Sequence, residues 1–391
     1  MVRIKWLVLP AVLMVILQNP ISGQEQDHRS AFHDFKLTTV AEGLISPWSM
    51  AFLPNGDMLV TERPGRLRVI QNGELVPEPI TGVPQVVAQG QGGLFDVILH
   101  PDFESNQTIY LSFSKPKSNG AQSTTAVIRA RYGNNQLTDI EEIFEAVSEG
   151  RGHYGGRLAF DSKGYLYITA GDRQAPSTGN LEAHPAQDLS NHHGVVVRLH
   201  ADGSIPEDNP FVGQSDKLPE IWSYGHRNPQ GLAIDKTSDE VWINEHGPQG
   251  GDELNLVAPG LNYGWPVIGY GVNYGSGLAI HKGTHDTNMQ APNHFWVPSI
   301  ATSGLMIYNG NQFPEWKGNI FVGGMAGQQL ARLTLLGQRI VGEETLVRGQ
   351  GRIRDVRQGP DGYIYLAVED RGGASTPILR MEPLVEERPR Q

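Results

Sequence analysis

Apolar residues in this chain recur in short bursts separated by turn residues, not in helical stripes. The run Met50-Ala51-Phe52-Leu53 ends at Pro54-Asn55-Gly56, and the alternating segment Met58–Thr61 follows. The same order returns at Val97–Pro101 into Thr108–Phe113, Leu158–Asp161 into Tyr165–Ala170, and Leu232–Asp235 into Glu240–Asn244. It appears twice more, at Leu305–Tyr308 into Asn319–Gly323 and Val356–Gly362 into Tyr363–Val368. An apolar run, a Pro/Asp/Asn/Gly turn and a period-two segment rich in Tyr, Val and Ile predict a β-hairpin at each place. With Ala51, Ile98, Ala159, Ala233, Met306 and Arg357 aligned as one column, the spacings are 47, 61, 74, 73 and 51 residues. Units of about 40–50 residues plus insertions match blades of a β-propeller, whereas a β-sandwich array would need the six hairpins to recur by coincidence. The expected fold is all-β, a six-bladed β-propeller with four-stranded antiparallel blades around a central channel, forming one domain over residues 24–391.

The only long apolar run lies at the start. Arg3 and Lys5 precede Trp6–Leu17, and Ile21-Ser22-Gly23 precedes a polar stretch. A run of 12 residues broken by Pro10 falls short of the roughly 20 that a spanning helix needs. Its charged, apolar and small-residue order predicts a signal peptide over residues 1–23, cleaved near Gly23, and hence a periplasmic or secreted protein without stable membrane insertion. Removing that segment changes the formal charge from −11 to −13. No basic stripe interrupts this acidic balance, which argues against a nucleic-acid partner. The chain has no cysteine, so disulfides contribute nothing to its stability, and a monomer held by core packing is expected.

Unusual polar residues fall at repeated stations. Gln91 precedes its column residue by seven positions, His153 and Arg227 by six, Asn228 and Arg352 by five, and Arg354 by three. Blades are arranged radially, so one station per blade maps to one ring around the axis, and these residues should converge. Arginines facing a common axis repel one another unless an anion lies between them. His246-Gly247-Pro248 leaves the second strand of its hairpin and joins the same rim, because an antiparallel hairpin begins and ends at one edge. The Gly-Pro turn offers carbonyl oxygens, and Asp252, Glu253 and nearby Tyr263 add further oxygen; without thiols this set favours Ca²⁺ over zinc. Gln89–Gly93 leads into a strand and not a helix, so it is no dinucleotide fingerprint. His184, His192 and His193 lack metal-ligand spacing and read as loop residues.

The segments Gln91-Gly92-Gly93-Leu94, Gly152–Leu158, Gly225–Leu232, Glu245-His246-Gly247-Pro248, Asn262–Pro266 and Arg352–Val356 together resemble the pyrroloquinoline-quinone (PQQ)-dependent aldose sugar dehydrogenases, relatives of soluble quinoprotein glucose dehydrogenase. The resemblance runs in order from about Gly43 to near Met381. It implies PQQ over the mouth of the channel, with Gln91, Arg227, Asn228, Tyr274, Arg352 and Arg354 as cofactor contacts. It also implies one Ca²⁺ on the carbonyls of Gly247 and Pro248 and a second, structural Ca²⁺ at Glu253 and Tyr263. His153 matches the general base that takes the proton of the sugar C1 hydroxyl, giving a lactone and passing electrons to an external acceptor. Where the family commonly has a cofactor-binding lysine, this chain has Ala326. Two other readings fit a six-bladed propeller: a Ca²⁺-dependent lactonase, which would place acidic side chains and not arginines at the axis, and a non-catalytic carbohydrate-binding protein.

Overall fold

A computed structural model describes residues 27–117 and 122–384; the expected signal segment lies outside them. Six antiparallel sheets surround one axis, and the predicted six-bladed propeller is what forms. The innermost strands are Pro47–Phe52, Leu94–Leu99, Leu158–Phe160, Pro229–Ile234, Thr302–Ile307 and Arg352–Gln358. Blades are numbered in that order. In the first five, strands follow one another outward in sequence order. The sixth borrows its outer strands from the N-terminal side: Phe35–Ile45 pairs with Ser375–Pro383, from Phe35 against Pro383 to Ile45 against Ser375. That pairing closes the ring, and Asp27–His28 adds a short fifth strand. Among the described residues only Phe103–Asn106 is α-helical. None of their helices is long and apolar enough to cross a membrane.

The aligned column is real in three dimensions. Ala51, Ile98, Ala159, Ala233, Met306 and Arg357 pair with Leu59, Tyr110, Tyr167, Trp242, Phe321 and Tyr365, the equivalent position of each second strand. Five of the six inner strands nevertheless begin three or four residues earlier than the alternation suggests, that of blade three alone starting at the expected Leu158. Register shifts at Pro47/Ser49, Leu94/Val97, Pro229/Gly231, Thr302/Leu305 and Ile353/Asp355 account for the difference. A β-bulge places two residues opposite one, so alternation is legible only beyond it.

The bulges also join the blades. In blades one to four the second strand, two residues past the column partner, offers a side-chain group to the backbone at the inner strand of the next blade. Thr61 Oγ1 donates to the Phe95 carbonyl at 2.5 Å, Ser112 Oγ to Gly156 at 2.5 Å, Thr169 Oγ1 to Pro229 at 3.3 Å and Asn244 Nδ2 to Ser303 at 3.0 Å. Blade five has Gly323 at this station, and Ser303 Oγ from its inner strand bonds the Ile353 carbonyl instead, at 2.6 Å. Blade six has Ala367 there; its junction to blade one is made by Met50 N–H donating to Asp355 Oδ2 at 3.1 Å.

Arg157 plugs the channel. It is 1% exposed, and its Nη1 lies 2.9 Å from Asp355 and 3.5 Å from Asp96. Its Nε donates to the Gln230 carbonyl, and its guanidinium lies 4.0 Å from the Trp48 ring centroid. Arg357 bonds the same two aspartates at 2.9 and 2.8 Å. Two arginines and two aspartates thus form a charge-balanced unit in which Arg157 and both aspartates are buried and Arg357 reaches the larger of two cavities. Cavities of about 450 and 710 Å³ lie along the axis, and no residue lines both. Replacing Arg157 by methionine leaves the aspartates with half their countercharge, so the variant should lose about 3–5 kcal/mol of stability. Urea unfolding checks this, and a loss below about 1 kcal/mol would show that the plug is not needed for stability.

Candidate active site

The cavity of about 450 Å³ occupies the mouth of the channel at the bulged ends of the inner strands. Gln91, Asn228, Arg352 and Arg354 line it, as the repeated stations predict, and Ala326 faces it too. Arg63 and Arg371 add two further cations, and Glu369 is the one carboxylate in the lining. Arg354 donates to Glu369 from Nε at 2.9 Å and from Nη2 at 2.6 Å, whereas Arg352 Nε stands 4.0 Å from it. Burial alone would raise the Glu369 pKa, but Arg354, Arg352 and Arg63 outweigh it and hold the carboxyl below its ordinary range. Glu369 already stands among the arginines and supplies part of the negative charge that their convergence calls for. Four guanidinium groups against one carboxylate still leave the mouth strongly positive.

His153 lies beside this cavity on Gly152-His153-Tyr154-Gly155-Gly156. Its backbone is left-handed, with φ 44°, and Gly155 and Gly156 continue at 64° and 94°, a course that costs little for glycine and more for histidine. Three contacts hold it there. Gln91 Oε1 accepts from the His153 N–H at 2.7 Å, and Asp172 Oδ1 lies 2.5 Å from His153 Nδ1. Gly171 runs so close to the loop that a Cβ there would lie 2.2 Å from the His153 carbonyl oxygen. Asp172 in turn accepts from Trp265 Nε1 at 2.7 Å and from the Gln174 N–H at 2.9 Å. Burial lowers the His153 pKa by more than Asp172 raises it, and Arg227 and Arg173 lower it further. Burial raises that of Asp172, but His153 and Arg227 outweigh it and keep the carboxyl below its usual range. The pair is thus a neutral imidazole against an ionised carboxylate. With Nδ1–H directed at Asp172, Nε2 is the basic nitrogen.

A second, small cavity of about 20 Å³ adjoins the first through His246 and is lined by Gly247, Pro248, Glu245, Glu253 and Tyr263. Arg227 belongs to this wall. Its Nη1 donates to the carbonyls of Gly247 at 2.7 Å and His246 at 3.0 Å, and its guanidinium lies 5.1 Å from the Trp265 ring centroid. A cation on the Gly247 carbonyl would displace that guanidinium. Glu253 is partly buried; burial, and then the neighbouring Glu245, push its pKa well above the ordinary value. Asn255 donates to both carboxylates, at 3.1 and 3.3 Å, while its own Oδ1 finds no partner. Two carboxylates, an orphaned amide oxygen and nearby carbonyls are hard donors that suit Ca²⁺. Tyr263 packs on His226, with ring centroids 4.7 Å apart, and its hydroxyl is engaged with Leu256 and Ala258. Among the described residues no three His, Asp or Glu side chains already converge as a ligand set.

Tyr274 stands apart from the other expected residues. It is 68% exposed in the loop that bonds Gln249 through the Gly275 N–H, and it lines neither cavity. His184 and His192 are buried and satisfied, His192 by Glu220 at 3.0 Å and His184 by the Ala186 N–H at 3.1 Å. Asp172, Trp265, Arg63 and Glu369 escaped the sequence reading. A signal was available: Arg63, Asp172, His246, Ala326 and Glu369 all lie four or five residues beyond the column partner of the second strand. The hairpin-edge argument used for Gly247 applies equally to them.

With this geometry established, comparison with known proteins is decisive. A family model for glucose/sorbosone dehydrogenase matches residues 44–380. The chain belongs to that family. It is 42% identical over 346 residues to the aldose sugar dehydrogenase of Escherichia coli, covering 86% of this chain and 90% of that one. It is 31% identical over 314 residues to quinoprotein glucose dehydrogenase B of Acinetobacter calcoaceticus, covering 74% of this chain and 63% of the relative. Among solved structures, the PQQ-bound aldose sugar dehydrogenase of Streptomyces coelicolor superposes with a TM-score of 0.73 at 28% identity, over 90% of this chain and 98% of that one.

Proposed function

We propose that this member of the glucose/sorbosone dehydrogenase family oxidises the C1 hydroxyl of aldose sugars to lactones, with PQQ and Ca²⁺ as cofactors and an external electron acceptor. The observation that carries the reading is the pairing of an arginine-rich channel mouth with a buried dyad of neutral His153 and ionised Asp172 at its edge. A planar tricarboxylate fits the first, because Arg63, Arg352, Arg354 and Arg371 exceed Glu369 in charge. Gln91 and Asn228 add neutral polar groups. The Gly247 and Pro248 carbonyls would hold the Ca²⁺ beside the cofactor, and Glu253 with its neighbours the second ion. When bound, the quinone supplies the two-electron sink for the C1 hydride and the metal supplies Lewis acidity.

The chain's own part is proton transfer and positioning. His153 Nε2 accepts the proton of the C1 hydroxyl, and Asp172 stabilises the imidazolium that results. Trp265 and the Gln174 N–H keep the Asp172 carboxylate ionised and oriented, so the imidazole does not rotate away. The residue 1–23 pattern supports action outside the cytoplasm, where free aldoses are met. The lactonase reading is weaker, because arginines and not acidic ligands dominate the mouth.

His153→Ala should lower kcat by roughly 10²–10⁴-fold while quinone half-saturation changes little. Because the base must be neutral and burial holds its pKa below 6.5, activity of the parental protein should stay level as pH falls to 6.5 and decline only below that value. A decline centred above 6.5 would assign the limb to another group. Arg352→Ala should weaken quinone binding by about 1.5–3 kcal/mol, and Ala326→Lys should strengthen it. Quinone titration followed by dye reduction with sugar measures both. Calcium should raise the Tm of the chelator-treated protein, and Glu253→Gln should remove most of that rise; an undiminished rise would place the ion elsewhere.

A further inference from the structure

The base loop carries one device that proton transfer itself does not use. Arg173 follows Asp172 directly and is 1% exposed. Its Nη2 donates to the carbonyls of Ser123 at 2.9 Å and Gly150 at 2.8 Å, and its Nη1 to the carbonyl of Gly152. The guanidinium lies 3.6 Å from the Tyr154 ring centroid. Its Nε finds no acceptor, and among the described residues it makes no ion pair. Burying a cation without a direct ion pair is costly, and the adjacent Asp172 carboxylate offsets only part of that cost. Its partners explain why the position tolerates that cost: Gly150 and Gly152 precede His153 and Tyr154 follows it.

We propose that Arg173 is a positioning residue for the His153 base, its planar fork tying both flanks of the loop so that the left-handed backbone of His153 keeps the imidazole against Asp172. This inference rests on His153 acting as the base. Arg173 itself is left-handed, with φ 58°, as is Gln174 at 59°. That turn lets one short segment present Asp172 to the imidazole and Arg173 to the loop backbone. Lysine could supply the charge but not the fork, since three carbonyls and an aromatic face suit a planar guanidinium. The charged groups facing the imidazole are Asp172, Arg227 and Arg173, and His184 and His193 interact electrostatically with Asp172. Of these, Arg173 is a cation whose hydrogen bonds hold the loop as well as bias the proton.

The test uses Arg173→Met and Arg173→Lys in the full chain. In cofactor-free protein, histidine NMR should show the His153 titration midpoint rising by about one pH unit in Arg173→Met, because a neighbouring positive charge and part of the burial are lost. It should return most of the way in Arg173→Lys. Both variants should lose kcat by about 10–100-fold in the quinone-loaded protein, the cost of a misplaced base, with quinone half-saturation shifted less than the rate. A parental His153 midpoint in Arg173→Met would overturn the proposal even if Tm falls, since the role would then be structural alone. Parental kcat in either variant would overturn it too. If Arg173→Met does not fold, Arg173→Lys decides by its kcat. The titration is read without cofactor or sugar, so it stands apart from any failure of the sugar-oxidation reading.

Discussion

Closing six sheets around one axis forces each inner strand to serve two neighbours, and the β-bulge near the start of most of them meets that demand. At the bulge a strand gives up regular pairing with its own blade, and its backbone becomes available to the blade before it. The hydroxyls of Thr61, Ser112 and Thr169 and the amide of Asn244 take up those carbonyls. Where Gly323 and Ala367 offer no such group, Ser303 and Asp355 supply the bond from another strand. The bulged edge is also the edge that bears Gln91, Asn228, Arg352 and Arg354. The feature that joins the blades therefore shapes the mouth.

Electrostatics divides the channel into two regimes. At Arg157 the charges balance, that arginine and both aspartates are buried, and the unit contributes cohesion without inviting a ligand. At the mouth the guanidinium groups outnumber the single carboxylate, and the excess is left facing open space. Glu369 neutralises Arg354 far better than Arg352, as the 2.6 Å and 4.0 Å contacts show. Attraction for an anion is thus built into the site without the mutual repulsion that a purely cationic ring would impose.

The base is shaped by competition between the same forces. Burial favours the neutral imidazole, and Asp172 favours the cation; burial wins, with help from two arginines. Asp172 stays ionised because His153, Arg227 and a backbone N–H offset its own desolvation. A proton acceptor at near-neutral pH follows from position and not from the residue type, since other histidines of the chain, His192 and His184 among them, are tied up in ordinary structural bonds.

Much of this could be read from the chain. Six recurrences of an apolar run, a turn and an alternating segment specify blades, because period-two patterning with Pro and Gly turns has few other solutions at that spacing. Residues at one station before the column converge because radial repetition leaves them no choice. What the sequence left open is set by contacts between segments far apart in the chain. Asp172 is an unremarkable acid until the Trp265 indole, 93 residues on, and His153 meet it. Tyr274 lies at a loop tip whose course no periodicity governs, and Arg227 turns toward Gly247 because the glycine-rich turn presents two carbonyls there. Local pattern carries strand and station. Protonation, countercharge and the direction of a side chain depend on burial and neighbours, which only the closed ring brings together.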